Sequence, residues 1–127
     1  IIVVGYRAAH VREELAGRRN LTFVKQDEQL GTGHAVKCCT AELANVDGPV
    51  FVLAGDSPLV QSTSLAVLLS EFNQTKASCM LGTLNKDNPE GLGRIVRDAD
   101  GEFVDIVEHK DASLAQRQIR EVNMSTY

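Results

Sequence analysis

The stretch VFVLAGDSPL at residues 50–59 begins with five apolar residues and continues into a loop that contains Asp56 and Pro58. A run that is apolar on both faces is typical of a strand in the middle of a parallel sheet. Asp56 follows the carboxyl end of this predicted strand, which is where ligands bind in open α/β sheets. The stretch therefore predicts both the class of the fold and one edge of a candidate site.

Strand-like and helix-like patterns alternate on both sides of this stretch. Short apolar runs predict strands, and apolar residues four apart, such as Val11 and Leu15, predict helices. Ser62 or Thr63 is the expected N-cap of the helix that follows the aspartate loop. The predicted elements besides 50–54 are strands at 1–5, 21–25 and 78–84, and helices at 8–18, 31–45 and 62–72.

A hairpin is predicted in the second half of the chain. Residues 94–96 and 103–107 flank Asp98-Ala-Asp-Gly101, in which the glycine suits a turn position with positive φ. The alternation that precedes it is typical of βαβ units around a parallel sheet. We therefore expect an α/β fold of three layers, with a mostly parallel sheet, helices on both faces and an appended β-hairpin.

The composition narrows the class of protein. With 43% hydrophobic and 24% charged residues, the 127-residue chain is ordinary for one globular domain. The net charge of −4, with scattered basic residues, argues against a nucleic-acid surface. No apolar run reaches the roughly 20 residues of a membrane span, and no signal segment is recognisable. We therefore expect no nucleic-acid or membrane partner and a cytoplasmic location.

The two ends of the chain are strand-like. A domain rarely begins at a central strand such as residues 1–5, and residues 122–127 resemble a further strand. We therefore expect residues 1–127 to be a single partial domain, truncated at both ends.

Three cysteines indicate neither a redox nor a metal site. Cys38, Cys39 and Cys79 cannot all pair within one chain, and the adjacent pair lacks the CxxC spacing of a metal or redox site. We expect reduced and mostly buried thiols.

Two loops could carry chemistry next to predicted strand ends. QLGTGHA at 29–35 places two glycines before a helix, where the backbone can approach a planar ligand, although a tight βα turn explains the pattern as well. In GDSPL, Asp56 suits Mg²⁺, which binds one or two carboxylates together with phosphate oxygens. Capping of the next helix is the competing interpretation of Asp56.

Two later segments are less distinctive by themselves. NPEGLGRIV at 88–96 carries glycines that a turn would explain. In VEHKDA at 107–112, strand alternation lets only one of Glu108 and His109 face a pocket. His109 is more typical of a solvated histidine, and His34 of an ordinary helix residue.

Taken together, these segments resemble the N-terminal uridyltransferase domain of the bacterial bifunctional N-acetylglucosamine-1-phosphate uridyltransferase / glucosamine-1-phosphate N-acetyltransferase family. The similarity covers nearly the whole chain, most clearly from residue 21 onwards. QLGTGHA and VEHKDA together are specific to this family. The segments, in family order, are QLGTGHA, GDSPL, NPEGLGRI, IVEHKDA and QRQIREVN.

The resemblance implies a Rossmann-like nucleotide-diphospho-sugar transferase fold and a role for each matching residue. Asp56 resembles the catalytic Mg²⁺ ligand. The remaining implied roles are contacts to the uracil from Gln26, Gly31 and Thr32, and contacts to the sugar from Gly93, Glu108 and Asn123.

The implied reaction converts UTP and N-acetylglucosamine-1-phosphate into UDP-N-acetylglucosamine and pyrophosphate, for synthesis of cell-wall precursors such as those of peptidoglycan and lipopolysaccharide. Transfer of this kind depends on positioning and charge neutralisation, and not on a protein nucleophile. The family members are homotrimers through a β-helix domain, so the full-length parent is expected to be one.

This chain departs from the family pattern in several places. The glycine-rich phosphate loop, with its Arg and Lys, is absent from the 127 residues, as is a later asparagine that shares the metal. The family's Asn-Thr-Gly is Asn123-Met-Ser here, which leaves the backbone after Asn123 open. We expect this chain alone to be inactive.

Two other functions fit the same residues. The first is a non-catalytic nucleotide-sugar-binding module. Its natural gene would lack the phosphate loop, and the gene sequence upstream of residue 1 would show this. A nucleotidyltransferase for another sugar phosphate is the second alternative, against which VEHKDA and the context of Asn123 argue.

Overall fold

A computed structural model describes all 127 residues of the chain. The chain folds into two compact units, Ile1–Pro49 and Val50–Tyr127. Both units combine helices with strands, so the predicted α/β class is confirmed. No helix of the chain is both long enough and apolar enough to cross a membrane.

In the first unit a helix connects two parallel strands. β1 (Ile2–Val4) pairs in parallel with β2 (Phe23–Lys25), and α1 (Ala8–Glu14) lies between them in the chain. The Arg12 guanidinium carbon is 4.8 Å from the centre of the Phe23 ring, a cation–π contact that holds α1 against β2. The strand-helix-strand pattern of the sequence is thus present, with each element shorter than predicted.

The segment after β2 passes close to the end of β1. The backbone N–H of Gln26 donates to Val4 O at 2.8 Å, which extends the parallel pair by one residue. A Cβ on Gly5 would lie 3.0 Å from Gln29 Nε2 and 3.2 Å from Gln26 O. Glycine at this position therefore permits the close approach that places Gln26 at the carboxyl ends of both strands.

The helix predicted at 31–45 is divided into two. α2 (Thr32–Cys38) and α3 (Thr40–Leu43) are separated at Cys39. Cys39 is buried, and its thiol donates to Ala35 O at 3.4 Å. Burial raises the pKa of the Cys39 thiol, so it remains protonated and unreactive.

The second unit contains the longest helix, α4 (Ser62–Gln74). Its N-cap residue is Gln61, and no side chain caps the first turn, so the prediction of Ser62 or Thr63 as N-cap was wrong. Gln61 keeps an extended conformation (φ −91°, ψ 140°), and the helix begins only after it.

The apolar run at 50–54 does not form the predicted strand. Leu53 makes a single antiparallel bridge with Thr126, and Val52 exchanges backbone hydrogen bonds of 2.8 and 3.0 Å with Tyr127. Leu53 is 46% exposed. The strand prediction was wrong because a strand needs a partner along its length, and only two residues of this run have one.

A four-stranded antiparallel sheet forms the rest of the second unit. β4 (Arg94–Arg97) and β5 (Phe103–Val107) form the predicted hairpin, with Gly101 at φ 86° in the turn. β6 (Glu121–Asn123) lies between β3 (Thr83–Asn85) and β4, so the strand order is β3-β6-β4-β5. Among the named strands, parallel pairing is confined to β1 and β2, and antiparallel pairing extends well beyond the appended hairpin.

The core of the second unit lies under the middle of this sheet. Ile95 of β4 is 2% exposed and Val122 of β6 is fully buried. Ala112, in the loop after β5, is also buried. The candidate sugar-binding residues lie at the ends of three strands, directly before β4, directly after β5 and at the end of β6.

The cysteines are all free, as predicted. Cys39 is buried and Cys38 half-buried, but Cys79 is exposed in an irregular stretch before β3. The prediction of mostly buried thiols was therefore wrong for Cys79.

Candidate functional site

Gln26 occupies the first position after β2 and is held by residues of the following turn. Its amide nitrogen Nε2 donates to Gly31 O at 3.2 Å and lies 3.0 Å from His34 Nδ1. The side chain is half-buried. Three residues separated along the chain are thus joined by one amide group at the end of a parallel strand pair.

Gly31 and Thr32 stand where the backbone enters α2. Gly31 has φ 94°, a conformation that favours glycine, and a Cβ built on it would meet no atom within 4 Å. Thr32 is the exposed first residue of the helix. The space on the Cβ side of Gly31 is open and could admit a planar ring.

Gly93, Glu108 and Asn123 come together at one end of the antiparallel sheet. The N–H of Asn123 donates to Gly93 O at 2.9 Å. A Cβ on Gly93 would lie 3.4 Å from Glu108 Oε1 and 3.2 Å from Ile106 Cγ2. Any larger residue would therefore push against the Glu108 carboxylate and close the surface that these three residues share.

The Asn123 side chain is part of a local turn. Its Oδ1 accepts from the Ser125 N–H at 3.0 Å, and its Nδ2 donates to Tyr127 Oη at 2.7 Å. Ser125 adopts φ 50°, the left-handed conformation that the glycine of Asn-Thr-Gly would take without strain. Each amide atom of Asn123 keeps one further site for a ligand, a lone pair on Oδ1 and a hydrogen on Nδ2.

Arg94 supports this end of the sheet from the opposite face, because neighbouring residues of a strand point to opposite sides. It is 1% exposed and has no carboxylate partner. Nη1 donates to Leu92 O, Nη2 donates to His109 Nδ1 at 3.2 Å, and Nε has no partner. The guanidinium thereby joins the segment before Gly93 to the segment after Glu108.

This arrangement answers the question of which residue of the Glu108-His109 pair faces the site. Glu108 lies beside Gly93, whereas His109 is half-buried and accepts a hydrogen bond from Arg94. Sequence reasoning missed both Arg94 and the contact of His34 with Gln26. The only signal for Arg94 was an arginine placed directly before two apolar strand residues in GRIV.

Asp56 lies in a loop of the second unit that lines a cavity of about 620 Å³. The loop turns at Ala54, whose O accepts from the Ser57 N–H at 3.2 Å. Asp56 is exposed, forms no ion pair and does not cap α4, which excludes the competing interpretation. The cavity wall also includes Met124, the residue next to Asn123.

The single carboxylate of Asp56 is compatible with Mg²⁺ if other ligands come from the substrate and water. No group of three or more His, Cys, Asp or Glu side chains that could hold a metal ion occurs in the chain. One free carboxylate suits Mg²⁺ when substrate phosphate oxygens and water supply most of the other ligands. Asp56 fits a metal that arrives with a nucleotide and does not fit a resident metal centre.

The structure therefore forms one group of predicted site residues in each unit. Gln26, Gly31 and Thr32 adjoin in the first unit, whereas Gly93, Glu108 and Asn123 adjoin in the second.

Known proteins resemble this chain along its whole length. The family model described as nucleotidyl transferase matches residues 1–127. The "Bifunctional protein GlmU" of Geotalea daltonii is 43% identical over 126 residues, which cover 99% of this chain and 28% of that protein. The proteins of the same name from Listeria monocytogenes and Streptococcus equi subsp. zooepidemicus are 44% and 45% identical over 127 residues. Those alignments cover 100% of this chain and 27% of each relative, so the chain spans little more than a quarter of their length.

Proposed function

The chain belongs to the nucleotidyl transferase family, and we propose that it forms the uracil- and sugar-binding part of a sugar-1-phosphate uridyltransferase. The full-length protein converts UTP and N-acetylglucosamine-1-phosphate into UDP-N-acetylglucosamine and pyrophosphate. The similarity to three proteins named GlmU over nearly all of this chain supports the proposal.

The convergence of Gly93, Glu108 and Asn123 is the observation that carries this proposal. These residues are far apart in the sequence, and they provide a carboxylate, an amide and a glycine backbone at one sheet end. A sugar offers hydroxyl and N-acetyl groups that such donors and acceptors can bind. Glu108 accepts hydrogen bonds from hydroxyl or amide N–H groups, whereas Asn123 both donates and accepts.

Gln26, Gly31 and Thr32 bind the base in this proposal. The Cβ side of Gly31 is open, so a flat ring can lie against the backbone there. The uracil and the sugar are the two non-reacting ends of the product. Binding of each end restricts the motion of that part of the substrate and lowers the entropic part of the barrier.

The reaction proceeds by in-line displacement at the α-phosphorus. An oxygen of the sugar phosphate forms the new P–O bond, and the bond from the α-phosphorus to the bridging oxygen breaks as pyrophosphate leaves. Asp56 is the catalytic residue that would hold Mg²⁺ with the phosphates. The ion would supply positive charge where the phosphate oxygens become more negative.

We also propose the setting of this activity. Residues 1–127 form part of one nucleotidyltransferase domain, in agreement with the family match over the full chain and with the fraction of each relative that it covers. The full-length protein acts in the cytoplasm as a homotrimer that supplies precursors for peptidoglycan and lipopolysaccharide.

The test is pyrophosphate release by the full-length protein with UTP, N-acetylglucosamine-1-phosphate and Mg²⁺. Glu108→Gln removes a charged acceptor, so the KM for the sugar phosphate should rise about tenfold or more while that for UTP changes little, since such bonds contribute roughly 1.5–3 kcal/mol. Glu102→Gln, on the exposed turn of the hairpin, is the matched control.

Three outcomes would contradict the proposal. Turnover of another sugar phosphate in preference to this one would assign a different substrate. Binding of UDP-N-acetylglucosamine without turnover by the full-length protein would indicate a non-catalytic module. An unchanged sugar-phosphate KM in Glu108→Gln would remove Glu108 from the site.

A further inference from the structure

The orientation of the Gln26 amide is determined by its two neighbours. Nε2 lies 3.2 Å from Gly31 O, and a carbonyl oxygen can only accept a hydrogen bond. The reversed amide would place Gln26 Oε1 against that carbonyl, so the amide nitrogen must be the atom on this side. Because Gly31 has φ 94°, glycine is the residue that favours this direction of the carbonyl.

His34 uses the second hydrogen of the same amide nitrogen. Its Nδ1 lies 3.0 Å from Gln26 Nε2, and because Nε2 can only donate, Nδ1 must be the acceptor. The imidazole is then neutral, with its proton on Nε2, which lies 3.9 Å from Cys38 Sγ in the next turn of α2. Both amide hydrogens of Gln26 are thus engaged within the chain.

The consequence is that Gln26 has a fixed acceptor for a ligand. With both hydrogens of Nε2 occupied, Gln26 can present only its carbonyl oxygen Oε1 to a ligand. Uracil carries an N3–H donor, whereas cytosine has an unprotonated N3 acceptor at the same place. An acceptor that cannot rotate forms a hydrogen bond with the first ring and repels the second.

We propose that His34 is a positioning residue that selects uracil over cytosine by locking the Gln26 amide. The inference rests on the proposed function, since it assumes that the base lies at Gln26. Without the Nδ1 acceptor, the amide can turn to offer a hydrogen to cytosine N3. Discrimination built on such hydrogen bonds is large, because the wrong base leaves a polar group unpaired.

The experiment compares two substitutions at position 34 in the full-length protein. His34→Phe keeps an aromatic ring but has no acceptor, whereas His34→Asn has no ring but carries Oδ1 at the same number of bonds from Cβ as Nδ1. We expect the ratio of kcat/KM for UTP to that for CTP to fall about tenfold or more in His34→Phe and to stay within about threefold in His34→Asn. The KM for the sugar phosphate should change less than twofold in both. His10→Phe, on the exposed surface of α1, is the control.

Equilibrium binding of UMP and CMP gives a second measurement that needs no turnover. A wild-type preference for UMP that His34→Phe loses and His34→Asn keeps supports the lock, even if the full-length protein does not turn over UTP and the proposed function fails. If both variants lose the preference for UMP, or both keep it, the proposed positioning role of His34 is wrong. Equal wild-type affinity for the two nucleotides would also overturn it.

Discussion

Ser125 has φ 50°, which places a residue with a Cβ in the left-handed region of backbone space. That conformation costs roughly 1–2 kcal/mol for an L-residue other than glycine. Part of the cost is offset locally, because the Ser125 N–H donates to Asn123 Oδ1 at 3.0 Å and completes a turn around the asparagine. The backbone after Asn123 therefore forms a turn around the asparagine, with strain at Ser125.

Ser125→Gly should stabilise the chain. Glycine removes the left-handed strain but adds roughly 0.5–1 kcal/mol of unfolded-state entropy, so we expect a net gain of about 0.5–1 kcal/mol in the free energy of unfolding. Urea denaturation monitored by circular dichroism measures the change. Ser64→Gly, inside α4, is the control and should be destabilising because its backbone is helical. A loss of stability in Ser125→Gly would show that the turn is not strained.

Asp56→Asn should separate catalysis from sugar binding in the full-length protein. An amide oxygen is a weaker Mg²⁺ ligand than a carboxylate, so kcat should fall by about two powers of ten or more, while the KM for the sugar phosphate changes little. Asp47→Asn, on the exposed end of the first unit, is the control. An unchanged kcat at saturating Mg²⁺ would remove Asp56 from the metal role.

At the scale of elements, an ion pair connects two neighbouring strands. Arg97 of β4 donates from Nε and Nη2 to the two carboxylate oxygens of Glu121 in β6, both at 2.8 Å. This bidentate bond is the main reason why the pKa of Glu121 lies below its usual range, and a hydrogen bond from Thr83 lowers it further while burial opposes the shift. The pair therefore holds the hairpin to the middle of the sheet most effectively when Glu121 is ionised.

Glu121→Gln should lower stability in a pH-dependent way. Because the folded-state pKa is depressed, the contribution of Glu121 is fully present above its unfolded pKa of about 4.3 and is lost as the pH falls through the folded value. The difference in unfolding free energy between wild type and variant should thus be present at neutral pH and shrink at lower pH. Urea titrations across this range measure it, with Glu13→Gln of α1 as the control. A difference that does not depend on pH would contradict the stabilising role of the ionised Glu121 carboxylate.

Local chemistry determined which elements could be predicted from the sequence. The β4–β5 hairpin was recognisable because Gly101 occupies a turn position that requires positive φ, which depends on neighbouring residues alone. The run at 50–54 was misjudged because a strand also depends on a distant partner, here Thr126 and Tyr127. The predicted helix at 31–45 was divided at Cys39, a break that no glycine or proline marks.

In the candidate site, too, some features could be predicted from local sequence and others depend on distant contacts. The positions of Gln26, Gly31 and Glu108 could be predicted, because motifs place them at strand ends and helix starts. The contacts that orient them could not, because they depend on side-chain packing. His34 has the sequence context of an ordinary helix residue, and Arg94 that of a surface residue, although it is 1% exposed.

At the scale of the whole molecule, the proposed function assigns a base-binding group and a sugar-binding group to the chain. The first unit holds the group around Gln26, and the second holds the group around Glu108. The family resemblance implies a glycine-rich loop with Arg and Lys for the triphosphate, and residues 1–127 contain no such segment. We therefore expect this chain to keep weak ligand binding but to lack the turnover of the full-length protein.

The purified 127-residue chain should bind UDP-N-acetylglucosamine weakly and release no measurable pyrophosphate from UTP and N-acetylglucosamine-1-phosphate. Each charge-assisted contact to the triphosphate contributes roughly 1.5–3 kcal/mol, and each ~1.4 kcal/mol of barrier is tenfold in rate, so the loss of several contacts lowers turnover by many powers of ten. Calorimetric titration measures binding, and a pyrophosphate assay with Mg²⁺ measures turnover, with the full-length protein as the control. Robust turnover by this chain would mean that residues within it, other than those of the family loop, hold the phosphates next to Asp56.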